Sequence, residues 1–207
     1  MAIITIRGQM GSGATEIGRQ VADRLHIDFV DREIIAKVAA QLQREEEEVI
    51  TKEMPPGSLI GRIVEALGNS GVDFQGAYVP FWQTPLGDTR YLQALETVVK
   101  ELARSESLVI QGRGSQFILK DHPGALHVLV VAPMEVRVKR VMQDSHLNQE
   151  AAKREIANYE SSRREFIKRY FKADREDPVF YDLIVNTGYF TYQAATSIIV
   201  GALPLKG

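Results

Sequence analysis

Three glycines, Gly8, Gly11 and Gly13, lie one residue behind the apolar β-branched run Ala2–Ile6 and directly ahead of the stripe Ala14, Ile17, Gly18, Val21 and Leu25. This arrangement constrains the fold more than any other feature of the chain. A short apolar run without polar alternation is a strand covered on both faces. The stripe has helical spacing, so the sequence predicts a helix beginning near Gly13–Thr15. A glycine-rich turn between strand and helix is a device for holding anions. Its backbone N–H groups converge, and the helix start adds partial positive charge. Glycine is needed because a side chain would block the anion or forbid the dihedrals of the turn.

The rest of the chain repeats the alternation of strand and helix. Strands are predicted at His26–Val30, ending at Asp31, and at Leu108–Ile110, Ala125–Val131 and Leu183–Val185. Helical spacing lies between them: Arg32–Gln43, a stretch capped by Ser58, the set Leu92, Leu95, Val99 and Leu102, a helix after Pro133 carrying Arg137 and Arg140, a long basic helix over Asn148–Tyr170, and Thr191–Val200. Apolar strands alternating with amphipathic helices predict an α/β fold with a parallel sheet covered on both faces. Two segments stand apart. The run Glu45–Glu48 is read as a solvated helix face, because adjacent carboxylates point in different directions. Gly68–Asp88, with Tyr78, Phe81 and Trp82, is read as a long loop, either functional or buried at a core edge, or a homodimer contact.

Composition narrows the function. Twenty-five Lys and Arg against 27 Asp and Glu leave a net charge of −2, so no overall basic field exists to grip nucleic acid, and phosphate binding must be local. The absence of cysteine excludes a disulfide scaffold, a thiolate zinc site and cysteine catalysis. Four scattered histidines, His26, His122, His127 and His146, lack metal-ligand spacing and are read as structural or exposed. The start of the chain lacks the pattern of a signal peptide, and Ala125–Pro133 is far short of the ~20 apolar residues that span a bilayer. A cytoplasmic protein without membrane partners is expected.

The turn reads G-Q-M-G-S-G-A-T over Gly8–Thr15, against the P-loop pattern G-x-x-x-x-G-K-[ST]. Gly8, Gly11, Ser12, Gly13, Ala14 and Thr15 are therefore the candidate phosphate-binding residues, and the Thr15 hydroxyl is placed to face magnesium. Ala14 stands where the lysine that bridges the β- and γ-phosphates is expected. Two other readings remain open. One is a tight turn with no ligand. The other is a dinucleotide-binding turn in which Gly11 and Gly13 are the first two glycines and Asp31 holds a ribose; it places Glu16 where a third glycine belongs. Further along, Arg113 follows a strand between Gly112 and Gly114, so it projects from the carboxyl end of the sheet, where α/β ligands sit. Arg163, Arg164, Lys168 and Arg169 surround the long basic helix, and Lys172 and Arg175 extend it.

Taken together, these segments resemble the cytidylate kinase-like family of P-loop nucleoside monophosphate kinases, particularly its divergent branch. The resemblance is carried by Ile3–Leu25, by Phe29–Ile35, by Val109–Gly114, by His127–Pro133 followed by Arg137, and by Tyr181–Thr187, in that order. It implies a single domain with a five-stranded parallel core (about 1–31, 105–147 and 180–207), an acceptor-binding lobe over 32–104 and a basic lid over 148–179. It further implies ATP as donor with Mg²⁺, and a nucleotide or other small phosphorylated acceptor. Asp31 and Arg32 would border the acceptor pocket, Arg113 would face the acceptor phosphate, and Glu160 and Arg163 match an acid-x-x-Arg pair that contacts the acceptor. Arg113, Arg163 and Arg164 are the candidate catalytic cations, a lid arginine standing in for the missing lysine. Gln111 and Gly114 replace aspartates of cytidylate kinases proper, so cytidylate itself is not indicated as the acceptor. Ala14 leaves a second expectation open, that of a nucleotide-binding regulator without catalysis.

Overall fold

The computed structural model describes residues 2–31, 89–105 and 107–203. Arg32, the Glu45–Glu48 run, the helix capped by Ser58 and the loop with Tyr78, Phe81 and Trp82 lie outside the described residues.

Strands β1 (Ile3–Gly8), β2 (Asp28–Val30), β3 (Leu108–Gln111), β4 (Ala125–Val131) and β5 (Leu183–Asn186) form one sheet in the order β2-β3-β1-β4-β5. Every pairing is parallel; Thr5, at the centre, is opposite Ile110 on one side and His127 on the other. The described helices are α1 (Ala14–Leu25), α2 (Thr89–Ser105), α3 (Ser115–Ile118), α4 (Met134–Ser145), α5 (Gln149–Phe171) and α6 (Tyr192–Ala202).

Alternation along β1 divides the core. Ile3 joins Leu95, Val98, Val99 and Leu102 of α2 on one face, with Leu108 and Ile110. Ile4 and Ile6 point the other way, onto Ile17 and Val21 of α1 and Ala195 and Ile199 of α6. This is the three-layer arrangement expected of the pattern. Burying each such side chain contributes roughly 1.5–3 kcal/mol, so the central strand is held from both sides. Within the strands, Thr5 and His127 are buried polar residues that satisfy each other through Thr5 Oγ1 and His127 Nδ1 at 2.8 Å. A third cluster, Val138, Val141, Ala152 and Ile156, joins α4 to α5 and also touches Met10 of the turn.

The element limits differ from the sequence expectation at their ends. The first strand runs on to Gly8, carrying Arg7 into the sheet. His26 is left-handed (φ 54°) and closes α1, so β2 begins at Asp28. Asn148 and Thr191 lie outside their helices as caps, each accepting from the backbone N–H three residues on, at 2.9 and 3.2 Å.

The strand order corrects the dinucleotide reading of Gly11, Gly13 and Asp31. In dinucleotide-binding sheets the first strand lies beside the second. Here β3 is inserted between them, so β1 is flanked by β3 and β4. Of the segment expected as an acceptor lobe over 32–104, the described helix α2 packs on the sheet.

Candidate nucleotide-phosphate site

The turn after β1 forms a loop over the carboxyl ends of the parallel strands. Gly11 (φ 78°) and Gly13 (φ 85°) are both left-handed, and Gly13 opens α1 with no side-chain cap. The first N–H groups of α1 therefore have no side-chain partner at the cap, unlike those of α5 and α6. A methyl group on Gly13 would run into the Tyr192 ring, and Arg140 stacks over that ring at 5.1 Å. Ser12 is wholly buried, yet its Oγ has no hydrogen-bond partner among the described residues. An orphaned buried hydroxyl beside an uncapped helix N-terminus fits a phosphate group.

The loop is braced from behind. Thr187 Oγ1 donates to Ser12 O at 2.8 Å, and Arg140 Nη1 donates to Gly11 O at 3.2 Å and to Thr187 Oγ1 at 2.9 Å. Gln9 N bonds to Val130 O at 3.1 Å, and Gln9 Oε1 accepts from Ala132 N at 3.2 Å. Gly11 O and Ser12 O are thereby engaged by the scaffold, and Ser12 N donates within the loop to Gln9 O at 3.0 Å.

Ala14 is buried, and a Cβ on Gly8 would overlap both Ala14 Cβ and Ser12 Oγ, so the lysine position faces back across the loop entry. Thr15 is exposed, and its Oγ1 accepts a hydrogen bond from Gln111 Nε2 at 2.6 Å. Gln111 ends β3, the neighbour of β1, so the sheet brings together two residues far apart in sequence. No group of three or more His, Asp or Glu placed to hold a metal occurs among the described residues. A magnesium ion here fits only with Thr15 as a protein ligand and the nucleotide's own phosphates as the others.

Arg113 lies in the turn after β3 with φ 55°, between two left-handed glycines, and α3 follows at once. Three successive left-handed residues are an unusual backbone, and they set Arg113 at the carboxyl end of the sheet. Asp31 follows β2 and is half-buried. On α5, Glu160 is turned inward and bonds to Arg137 Nη1 at 2.7 Å. Arg163 lies on the Tyr159 ring at 3.5 Å, and exposed Arg164 lines a groove of about 810 Å³ with Lys168, Arg169 and Lys172. The acid-x-x-Arg pair is thus split between two different partners. The far end of α5 is fixed by stacking of Phe171 on Phe117 (5.1 Å), and Phe117 meets Phe180 edge-on (4.9 Å).

Several residues at this site carried no motif. Arg7 Nη2 pairs with Glu176 at 2.7 Å, and Arg7 Nη1 donates to Tyr181 Oη at 2.8 Å and to Arg175 O. Arg175, read from sequence as an extension of the basic helix, is 1% exposed. Burial first, and then the like charge of Arg7, lower its pKa. For Glu176, burial pushes the carboxyl up, but Arg7 and Arg175 outweigh burial and hold it below the ordinary glutamate range. The available signal was a charged residue, Arg7, closing an otherwise apolar strand.

A family model described as the cytidylate kinase-like family matches residues 3–189. Among curated relatives, a cytidylate kinase of Methanobrevibacter smithii is 25% identical over 202 residues, covering 97% of this chain and 98% of that one. A cytidylate kinase of Sulfolobus acidocaldarius is 33% identical over 81 residues, 39% of this chain. A uronate isomerase of Corynebacterium glutamicum is 32% identical over 98 residues, 47% of this chain. The matched segments span 19% of that isomerase and 44% of the Sulfolobus kinase. Among solved structures, an uncharacterized protein from Eubacterium ventriosum superposes with a TM-score of 0.72 at 18% identity, covering 99% of both chains. A gluconokinase from Sinorhizobium meliloti superposes at 0.50 and 14% identity, covering 99% of this chain and 92% of that one. No described helix is long and apolar enough to cross a membrane.

Proposed function

The chain belongs to the cytidylate kinase-like family and has its α/β P-loop kinase fold, and from this premise we propose that it transfers the γ-phosphoryl group of ATP to a nucleotide or other small phosphorylated acceptor. One observation carries the reading: the buried, unpartnered Ser12 hydroxyl in a loop whose carbonyl groups are already engaged by Arg140 and Thr187. Such a loop is preorganised for an anion, and preorganised donors need no rearrangement at the moment of reaction.

In this reading Gly8–Thr15 hold the donor phosphates. Tyr189 (83% exposed) and Phe190 (46%) follow Thr187 and Gly188 and offer faces on which a base can stack. Arg113 faces the acceptor phosphate from the end of β3, and Asp31 borders the acceptor pocket. Arg163 and Arg164 of α5 form the lid side, and Glu160 acts on the acceptor only through Arg137. Bound Mg²⁺ would supply charge to the donor phosphate oxygens. The chain's own part is to orient the two substrates, exclude water and present cations. Cytidylate is the acceptor named for the relatives; Gln111 and Gly114 make it one candidate among several for this chain.

Ala14 favours a second reading, a nucleotide-binding regulator that does not turn over. The two separate in one experiment. The purified chain is incubated with γ-labelled ATP, Mg²⁺ and a panel of CMP, dCMP, UMP, AMP and phosphorylated sugars, and ATP binding is measured by calorimetry. Label on one acceptor class supports the transferase. Binding with no transfer supports the regulator, and absence of ATP binding refutes both.

A further inference from the structure

At the end of β1, three guanidinium groups share two carboxylates. The side chains of Arg7, Arg137 and Arg175 are 10%, 6% and 1% exposed. Glu160 is committed to Arg137 at 2.7 Å, while Glu176 is divided between Arg7 at 2.7 Å and Arg175 at 3.2 Å. Among the described residues the set keeps one positive charge in excess. It also keeps donors in excess: Arg175 Nη2 and Arg137 Nε are buried with no hydrogen-bond partner among the described residues. An arginine does not escape burial by losing its proton, so an uncompensated guanidinium pays the full desolvation cost unless an anion joins it.

The cluster adjoins the phosphate loop at several points. Arg7 immediately precedes Gly8. Gln9 Nε2 lies 3.5 Å from Glu176 Oε2, and Arg137 Nη1 lies 3.5 Å from Met10 O. Arg175 Nη1 donates to Glu160 O at 3.2 Å, which ties the cluster to α5. The loop itself has lost its cation at Ala14, and Arg163 is engaged on Tyr159.

We propose that Arg175, with Arg7 and Arg137, forms an anion seat that supplies at this loop the positive charge Ala14 does not, a phosphate oxygen being the cluster's missing counter-ion. The assignment rests on the nucleotide-kinase reading for the identity of the phosphate, while the seat itself rests on the charge imbalance alone. Guanidinium is suited to this, since its fixed fork matches phosphate oxygens. Glu176, 32% exposed, is the internal competitor for the seat.

The test titrates pyrophosphate, then ATP with Mg²⁺, into the full chain and the variants Arg175→Gln and Glu176→Gln, read by calorimetry with thermal melts to establish folding. Arg175→Gln is expected to weaken pyrophosphate and ATP binding at least about tenfold, because an anion partner inside a buried charge cluster is lost. Glu176→Gln removes the competitor, raises the excess charge, and is expected to tighten both about threefold or more. A cluster that only braces the fold lowers both melting temperatures and leaves anion affinity unmoved, which overturns the proposal. Should Arg175→Gln fail to fold, Glu176→Gln decides alone: unchanged or weaker anion binding overturns the seat. ATP binding that neither variant alters sinks the seat and leaves the kinase reading intact. Pyrophosphate binding that depends on Arg175 without any ATP binding does the reverse, and a wild-type chain that binds neither refutes both.

Discussion

Truncating Glu160 to alanine removes the carboxylate from Arg137 without touching the Glu160 carbonyl that accepts from Arg175. The Arg137 side chain is 6% exposed and the Glu160 side chain 16%, at 2.7 Å, so the pair lies near the buried limit. Breaking a buried pair from one side costs about 3–5 kcal/mol, whereas an exposed pair is worth about 0–1. The partial exposure of Glu160 sets the expectation at the lower end, about 3 kcal/mol, because water can reach part of the stranded guanidinium. For a chain of this size that corresponds to a fall in Tm of about 6–12 °C. Urea unfolding of ligand-free protein, followed by circular dichroism, measures it apart from any role of Glu160 toward an acceptor. The double variant Arg137→Met, Glu160→Leu should return to within about 1 kcal/mol of the wild type, since apolar replacement of both partners removes the stranded charge. A loss below about 1 kcal/mol for Glu160→Ala, or a double variant as unstable as the sum of the two single changes, would refute the view of this contact as a buried anchor between α4 and α5.

Gly13→Ala meets two separate costs. A left-handed residue with a side chain costs about 1–2 kcal/mol, and at φ 85° the added methyl also runs into Tyr192; thermal melts should show Gly13→Ala relieved only in part by Tyr192→Ala, and full relief would disprove the backbone share. Glu176 has a folded-state pKa held below its unfolded value, so its stabilising contribution is complete above the ordinary glutamate range and is lost as pH falls through the depressed folded value. Wild-type unfolding free energy should therefore drop more steeply than that of Glu176→Gln on the acid side of that range, with parallel pH profiles as the contrary result.

The resemblance to a kinase family rests on local devices: a β-branched strand, a glycine turn and a helix start at Ile3–Leu25, then strands and helices alternating to Thr187. These are legible because each depends on a few adjacent residues and on a periodicity that survives without knowledge of the neighbours. The motif makes Thr15 a candidate metal-facing hydroxyl. Its actual partner, Gln111, could not be named, because 96 residues separate them and only the β1–β3 pairing brings them to 2.6 Å.

Charge shows the same limit from the other side. From the sequence alone, Arg175 is one more cation at the end of a basic helix, and Glu160 belongs with Arg163 by spacing. In the folded chain Arg175 is buried against Glu176 and Glu160 O, and Glu160 turns away from Arg163 to Arg137. Spacing along a helix states which residues share a face, but which face is buried is settled by packing of Ala152 and Ile156 on Val138 and Val141 of α4, with Phe171 stacked on Phe117. The amino-acid order alone thus determined the glycine turn between strand and helix and the layered parallel sheet, since both arise from local backbone preferences. The tertiary structure alone decided which arginines gather beside that turn, because side chains distant in sequence find their counter-charges only when strand order brings their elements together.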